Sequence, residues 1–157
     1  MHKQRGFSLI ELLIVVAIIL IISAIAIPSY MRSRMQANEA SAVSSLRMIN
    51  TAAITYFSTY QEVGYPPTLA SMGGGAPCTS SSASACMLDE TVALGTKSGY
   101  AFAWNSDGAV PSVAYTATAT PINVGHSGQR MFCTDQTGVT RYDPSGSGCN
   151  ASSTPVQ

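Results

Sequence analysis

The first pattern along the chain is a long apolar segment near its amino terminus. Residues 7–27 read FSLIELLIVVAIILIISAIAI, and the one charged side chain among them is Glu11. A helix of these 21 residues is about 31 Å long, close to the thickness of the hydrocarbon core of a lipid bilayer. The segment is therefore predicted to be a membrane-spanning helix.

The pattern changes after Pro28, where apolar residues recur at steps of three and four positions through residues 28–60. This spacing predicts that the helix continues with one apolar face packed on a globular domain. Proline removes a backbone donor and crowds the preceding turn, which predicts a kink at Pro28. Gly64 and the Pro66-Pro67 pair predict that the helix ends near Tyr60. The predicted core positions are Met35, Ala42, Val43, Leu46, Ile49, Ala53, Tyr56, Phe57 and Tyr60, and the polar positions largely between them are Arg34, Asn38, Ser41, Ser45, Arg47, Thr55 and Thr59.

The rest of the chain divides into a loop region and a strand-rich region. Residues 61–98 are rich in Gly, Ser and Ala and lack an apolar period, which predicts an exposed loop. Residues 99–157 contain short segments with strand-like composition, separated by turn residues, which predicts an antiparallel meander. The expected fold is α+β, a long helix whose second half lies on a four-stranded antiparallel sheet. The four predicted strands are 100–104, 113–119, 130–134 and 139–142.

Composition and charge exclude several classes of protein. The chain is 46% apolar and 10% charged, and its eight Lys plus Arg balance eight Asp plus Glu without forming a basic run. Nucleic-acid binding is therefore not expected. The two histidines are His2 and His126, which leaves His126 as the one possible base for a nucleophile. No catalytic site and no cofactor are expected.

All four cysteines follow the apolar segment. An even number of cysteines in an exported region favours disulfide bonds. Pairing Cys78 with Cys86 would close the Ser-rich loop, and pairing Cys133 with Cys149 would tie the carboxyl-terminal segment to the sheet. We favour this arrangement among the three possible connectivities. A metal site is the alternative, but the spacings are irregular and include no C-x-x-C pair, so no metal is expected.

An ordinary secretory signal is the rival interpretation of the amino terminus. Lys3 and Arg5 provide a basic start, and residues 24–26 read Ala-Ile-Ala, a possible cleavage site. The mature protein would then be a secreted binding module. Against this, the apolar run exceeds the typical signal core of about 7 to 15 residues, and a helical pattern continues directly beyond the supposed cleavage site. Glu11 also needs an explanation, because a carboxylate within a membrane segment is either functional or reaches back to the interface.

The string Gly6-Phe7-Ser8-Leu9-Ile10-Glu11, after a basic leader and before the apolar run, resembles the class III signal of type IV pilins and pseudopilins. The resemblance is specific over residues 6–28 and extends to about residue 60. It implies that a prepilin peptidase removes residues 1–6 by cutting between Gly6 and Phe7, and that the new amino group of Phe7 is methylated. It also implies that Glu11 pairs with the amino terminus of a neighbouring subunit during assembly.

The resemblance further implies a type IV pilin fold and a structural role without enzymatic activity. The prepilin would be a single-pass protein of the inner membrane, and the processed chain would join a helical homopolymer outside the cell with the help of the pilus or secretion assembly machinery. Such filaments serve adhesion, motility or DNA uptake. A pseudopilin in a short periplasmic filament of a type II secretion system is the alternative. Major pseudopilins carry a calcium site in this region, but turn-forming roles are expected here for Asp107, Asp135 and Asp143.

Overall fold

The computed structural model describes residues 7–146 and 148–156, so Gly6 and the leader lie outside the described residues. The chain divides into two compact units, Met1–Arg34 and Met35–Gln157. Helix α1 covers Leu9–Thr59, and the other elements belong to the second unit. These are a 3₁₀ helix at Ala70–Met72, α2 at Glu90–Ala93, β1 at Thr96–Lys97, β2 at Tyr100–Ser106, β3 at Tyr115–Pro121, β4 at Met131–Asp135, β5 at Arg141–Asp143 and β6 at Thr154–Pro155.

The strands form one antiparallel sheet in the order β1-β2-β3-β4-β5-β6, so each strand pairs with its neighbour in sequence. The register places Phe102 opposite Ala119, and Phe132 opposite Tyr142. The α+β class and the antiparallel meander are confirmed.

The expected number of strands was wrong, because the described residues contain six strands rather than four. The predicted strands correspond to β2 to β5, and the extra strands β1 and β6 have two residues each, too few for an alternating pattern. β3 also starts later than predicted. The backbone N–H groups of Val113 and Ala114 donate to Oδ2 of Asp107, which holds them in the preceding loop.

The core of the second unit joins one face of α1 to the inner face of the sheet. Leu46, Ile49 and Tyr56 are fully buried in one cluster with aromatic residues of the strands. The predicted helix face is therefore largely confirmed, with two differences. Phe57 is exposed and contacts the ring of Tyr65, whereas Ser45, expected on the polar side, is buried. The strand residues of the cluster are Tyr100, Phe102, Tyr115, Ala117, Ala119 and Phe132.

The segment 61–98 is less exposed than its composition predicts. Outside its two short helices and β1, its backbone pairs with itself, since the N–H groups of Met87 and Leu88 both donate to the carbonyl oxygen of Met72. Irregular chain of this kind buries apolar residues without any period in the sequence. The segment contributes five side chains to the core, those of Leu69, Met72, Ala85, Leu88 and Val92.

Candidate functional site: the apolar helix and its amino-terminal cap

The first unit consists of apolar helix with almost no buried surface. Between Phe7 and Arg34 every residue is exposed except Ser23, which is half-buried. Phe7 is 84% exposed and the large aliphatic side chains that follow are between 45% and 82% exposed. α1 contains a stretch long and apolar enough to cross a membrane. An apolar surface of this size requires a cover of lipid or of other protein chains.

Glu11 closes the amino-terminal end of this helix. Its Oε2 atom accepts a hydrogen bond from the backbone N–H of Ser8 at 2.9 Å. Ser8 immediately precedes the first helical residue and Glu11 is the third residue of the helix. This is the carboxylate half of a capping box, in which a side chain three residues into the helix satisfies a backbone donor that has no partner within the helix.

The capping role has a signature in the sequence that the sequence analysis did not recognise. The pattern S-x-x-E before an apolar run is typical of a helix start, and residues 8–11 carry it as Ser-Leu-Ile-Glu. A carboxylate in the first turn also interacts favourably with the helix dipole. Glu11 therefore has a partner within its own chain, which lowers the cost of placing a carboxylate beside an apolar segment.

Other predicted site residues lie in this unit. Phe7 directly precedes the cap and Pro28 lies inside α1, whose backbone is helical on both sides of it. Cleavage after Gly6, methylation of Phe7, the intersubunit contact of Glu11 and the kink at Pro28 stay predictions.

The four cysteines form two disulfide bonds in the second unit. Cys78 is bonded to Cys86, and Cys133 on β4 is bonded to Cys149. This is the pairing that the sequence analysis favoured. The first bond lies against Gly74, where a β-carbon would come within 2.0 Å of the sulfur of Cys78. The second bond joins the sheet to the segment that leads into β6.

Glu39 is a buried carboxylate that the sequence analysis did not identify. It projects from α1 and is 6% exposed. Its Oε1 accepts the backbone N–H groups of Gln129 and Arg130 at 2.9 and 3.1 Å, and its Oε2 accepts from Nη2 of Arg130 at 2.7 Å. The neighbouring Asn38 donates to the carbonyl oxygen of Ser127 at 2.8 Å. These contacts fix the β3–β4 connection on the helix.

The environment of Glu39 lowers the pKa of its carboxyl group below the ordinary value of 4.5. Burial by itself raises the pKa, but the hydrogen bonds from the backbone of Gln129 and Arg130 and from the guanidinium of Arg130, together with its charge, outweigh that effect. The carboxylate therefore stabilises the folded state when it is ionised.

Acidification is therefore expected to remove the contribution of Glu39 to stability. A carboxylate with a lowered pKa stabilises the fold above the pKa of the unfolded chain, and this contribution is lost as the pH falls through the folded-state pKa. Denaturant unfolding of wild type and Glu39→Gln at several pH values measures it. The wild type should be more stable above about pH 5 and should lose that advantage progressively as the pH falls below the ordinary glutamate pKa of 4.5. A difference that stays constant across this range would contradict the assignment.

A second unpredicted group is a buried polar network centred on Asn50. Nδ2 of Asn50 donates to Oγ1 of Thr134 at 2.8 Å and to the carbonyl oxygen of Gly138 at 3.3 Å. Oδ1 of Asn50 accepts from the hydroxyl of Tyr115 at 2.9 Å. The network joins α1 to β3, to β4 and to the turn after β4, and so fixes the position of the helix on the sheet.

The aspartates that we considered for calcium bind their own turns. Asp107 accepts the backbone N–H of Ala109, Asp135 accepts that of Thr137, and Asp143 accepts that of Gly148. Within residues 7–146 and 148–156, no three His, Cys, Asp or Glu side chains are grouped so that they could hold a metal ion.

Comparison with known proteins places the similarity in the amino-terminal part of the chain. A family described as "Prokaryotic N-terminal methylation motif" matches residues 1–27. The Type IV major pilin protein PilA of Myxococcus xanthus is 39% identical over a region covering 41% of this chain and 33% of that protein. A Fimbrial protein of Pseudomonas aeruginosa is 51% identical over 34% of each chain. The Type IV wide pilus major component PilA4 of Thermus thermophilus is 51% identical over 25% of this chain and 30% of its own length.

The chain thus spans about a third of the length of the curated relatives it matches. No solved structure matches it. These relatives are structural pilus or fimbrial proteins rather than enzymes. The methylation motif, the apolar helix that begins within it and the antiparallel sheet on the second half of that helix agree with one another. The chain therefore carries the prokaryotic amino-terminal methylation motif and is similar to type IV pilin and fimbrial proteins over its amino-terminal part.

Proposed function

We propose that this chain is the structural subunit of a type IV pilus. It is made as a prepilin anchored in the inner membrane by residues 7–27. Prepilin peptidase cuts it between Gly6 and Phe7 and methylates the new amino group of Phe7. The processed subunit leaves the membrane through the pilus assembly machinery and polymerises through α1 into a helical surface filament.

The observation that carries this proposal is the match to the methylation motif over residues 1–27, within which an apolar helix with almost no buried side chain begins. The apolar surface of such a helix has to be buried in the prepilin and again in the filament. Lipid supplies the first, and the helices of other copies supply the second. Because lipid tails are as apolar as the side chains they surround, exchanging lipid for protein gains little from the hydrophobic effect, and packing and polar contacts must drive assembly.

Glu11 is the polar contact best placed to select a neighbour. In the single chain its carboxylate accepts the backbone N–H of Ser8. Cleavage creates an α-amine at Phe7 with a pKa near 8, so it is largely a cation at neutral pH. An ion pair in a weakly polar environment is strong, but desolvation cancels much of the gain, so we assign the pair to setting register between subunits. Repeating such a head-to-tail contact without closure gives an open filament.

The first test is the chemistry of the mature amino terminus. We expect a mature chain that begins with N-methylated Phe7 and lacks residues 1–6, because the resemblance of residues 6–11 to a class III signal implies a cut between Gly6 and Phe7. Amino-terminal sequencing and intact mass of the chain from its native cells measure this. A mature chain that begins at Ile27 would show an ordinary secretory signal and would overturn the proposal.

A second experiment separates the pilus from the pseudopilus. Cells are sheared and the released material is imaged and probed for this chain. Long filaments that contain it support the pilus, as do the two disulfides and Ser-rich loop suited to an exposed filament surface. Absence of filaments together with failed protein export in a deletion strain would identify a pseudopilin.

A further inference from the structure

The segment Tyr30–Arg34, with sequence YMRSR, lies directly beyond the apolar run within the first unit. All five residues are exposed, and Tyr30 is 68% exposed. The side chains of Arg32 and Arg34 make no ion pair and no hydrogen bond with any other residue that the structure describes. The ion pairs among those residues are Lys97 with Asp89 and Arg130 with Glu39.

The helical rise places the backbone of Arg32 at the outer part of the headgroup layer and that of Arg34 just beyond it, within reach of a long side chain. If Ile27 ends the membrane-spanning part, Arg32 lies about 7.5 Å and Arg34 about 10.5 Å further along the helix. The polar layer on each side of a bilayer core is about 5 to 8 Å thick, and long arginine side chains reach back toward it. Tyr30, about 4.5 Å beyond Ile27, occupies the level at which tyrosine is enriched in membrane proteins.

The angular positions of the two arginines favour a lipid leaflet over a docked protein. Residues two apart on an α-helix are separated by about 200°, so Arg32 and Arg34 project from nearly opposite sides of α1. A protein docked on one face of the helix would contact one of them. Headgroups surround a membrane helix on all sides and can contact both.

Processing leaves Arg32 and Arg34 as the positively charged side chains beside the apolar segment 7–27. Removal of residues 1–6 takes away Lys3 and Arg5, and residues 7–31 contain no Lys, Arg or His. The side-chain cations nearest to the apolar segment in the processed chain are then Arg32 and Arg34.

We propose that Arg32 and Arg34 bind the phosphate groups of anionic phospholipids at the carboxyl-terminal end of the apolar segment. This contact holds the processed subunit at a fixed depth before assembly, and extraction of the subunit has to break it. The inference rests on the membrane-anchored stage of the proposed function.

The test is lipid selectivity in vesicles. The full chain, and the chain processed to begin at Phe7, are each reconstituted in phosphatidylcholine with trace spin-labelled phosphatidylglycerol or phosphatidylcholine, and the fraction of immobilised label is measured. For the processed wild type we expect a preference of about threefold to fivefold for phosphatidylglycerol, falling with added salt. The double variant Arg32→Gln/Arg34→Gln should bring this preference close to one.

Two further variants test whether the lipid preference depends on the positive charge at these two positions. Arg32→Lys/Arg34→Lys keeps both charges and should retain most of the preference, since lysine also binds phosphate. Arg47→Gln removes the same charge from the same helix 13 positions beyond Arg34 and should change nothing. An undiminished preference in the double glutamine variant, or an equal loss in Arg47→Gln, would overturn the proposal. Filament formation does not enter this measurement, so failure of the proposed function would be seen separately in the mature mass and in the sheared material.

Discussion

Glu11→Ala is expected to reach the membrane in normal amounts and to form filaments at about one tenth of the wild-type yield or less, since losing about 1.4 kcal/mol from a subunit contact lowers its association constant about tenfold. The substitution removes the carboxylate that accepts the Ser8 N–H and, in the proposed filament, the partner of the neighbouring Phe7 amine. The apolar run itself is unchanged, so insertion is preserved. Immunoblots of membrane and sheared fractions measure the two steps separately.

Two variants separate the helix cap from the charge pair. Glu11→Gln keeps an oxygen that can accept the Ser8 N–H but has no charge, so it should assemble as poorly as Glu11→Ala if the ion pair sets the register. Ser8→Ala removes a hydroxyl but keeps the backbone N–H that Glu11 accepts, and it should assemble far better than either. Normal filament yield from Glu11→Gln would assign the residue to capping alone and refute the pairing role.

Asn50→Ala is expected to lower the free energy of unfolding of the second unit by about 3 kcal/mol, through lost hydrogen bonds and a small cavity. The substitution leaves the buried hydroxyl of Tyr115 without the Asn50 oxygen that it donates to. Denaturant unfolding of the full chain in detergent measures this change. Trp104 is the single tryptophan and stacks on Tyr115 with ring centroids 4.4 Å apart, so its fluorescence reports on this part of the core.

The matched control is Thr51→Ala, one position further along α1. The Thr51 side chain is exposed and its hydroxyl donates only to the carbonyl oxygen of Arg47 among the described contacts, so the effect should stay within about 0.5 kcal/mol. A double-mutant cycle with Tyr115→Phe isolates the shared bond. The double variant should lose less stability than the sum of the single variants, because each single change removes the same hydrogen bond. Strict additivity would contradict a coupled network.

Periodic and local signals predicted most of the architecture. The apolar run and the three- and four-residue spacing behind it predicted α1, and its observed end at Thr59 lies one residue from the expected position. Gly64 has a φ of 79° and lies so close to Ser112 that a β-carbon would overlap its backbone, which explains why the chain turns at a glycine. Alternation and turn residues predicted β2 to β5. In the candidate site, residues 6–11 were sufficient to indicate the family, because the motif is a short continuous string.

The polar residues that fix the helix on the sheet could not be predicted in the same way. Glu39 and Asn50 lie on a helix where polar residues normally face solvent, and their partners are 65 to 91 positions away in the sequence. A buried polar side chain is stable only where the fold supplies its partner, and no local pattern encodes that partner. The segment 61–98 was misjudged for a similar reason, since its apolar residues become buried through irregular backbone contacts.

By itself, the sequence determined the membrane-length helix, the methylation motif, the cap at Glu11 and the order of the four main strands. Each of these features is formed by residues that are close together in the chain. The helical period of 3.6 residues, the strand period of 2 residues, helix caps and turns all depend on such neighbours. The tertiary structure decided which polar groups are buried, how residues 61–98 join the core, where β1 and β6 complete the sheet, and which cysteines are joined. Those features depend on contacts between distant residues, because a buried hydrogen bond, an ion pair or an edge strand forms only when the folded chain brings both partners together.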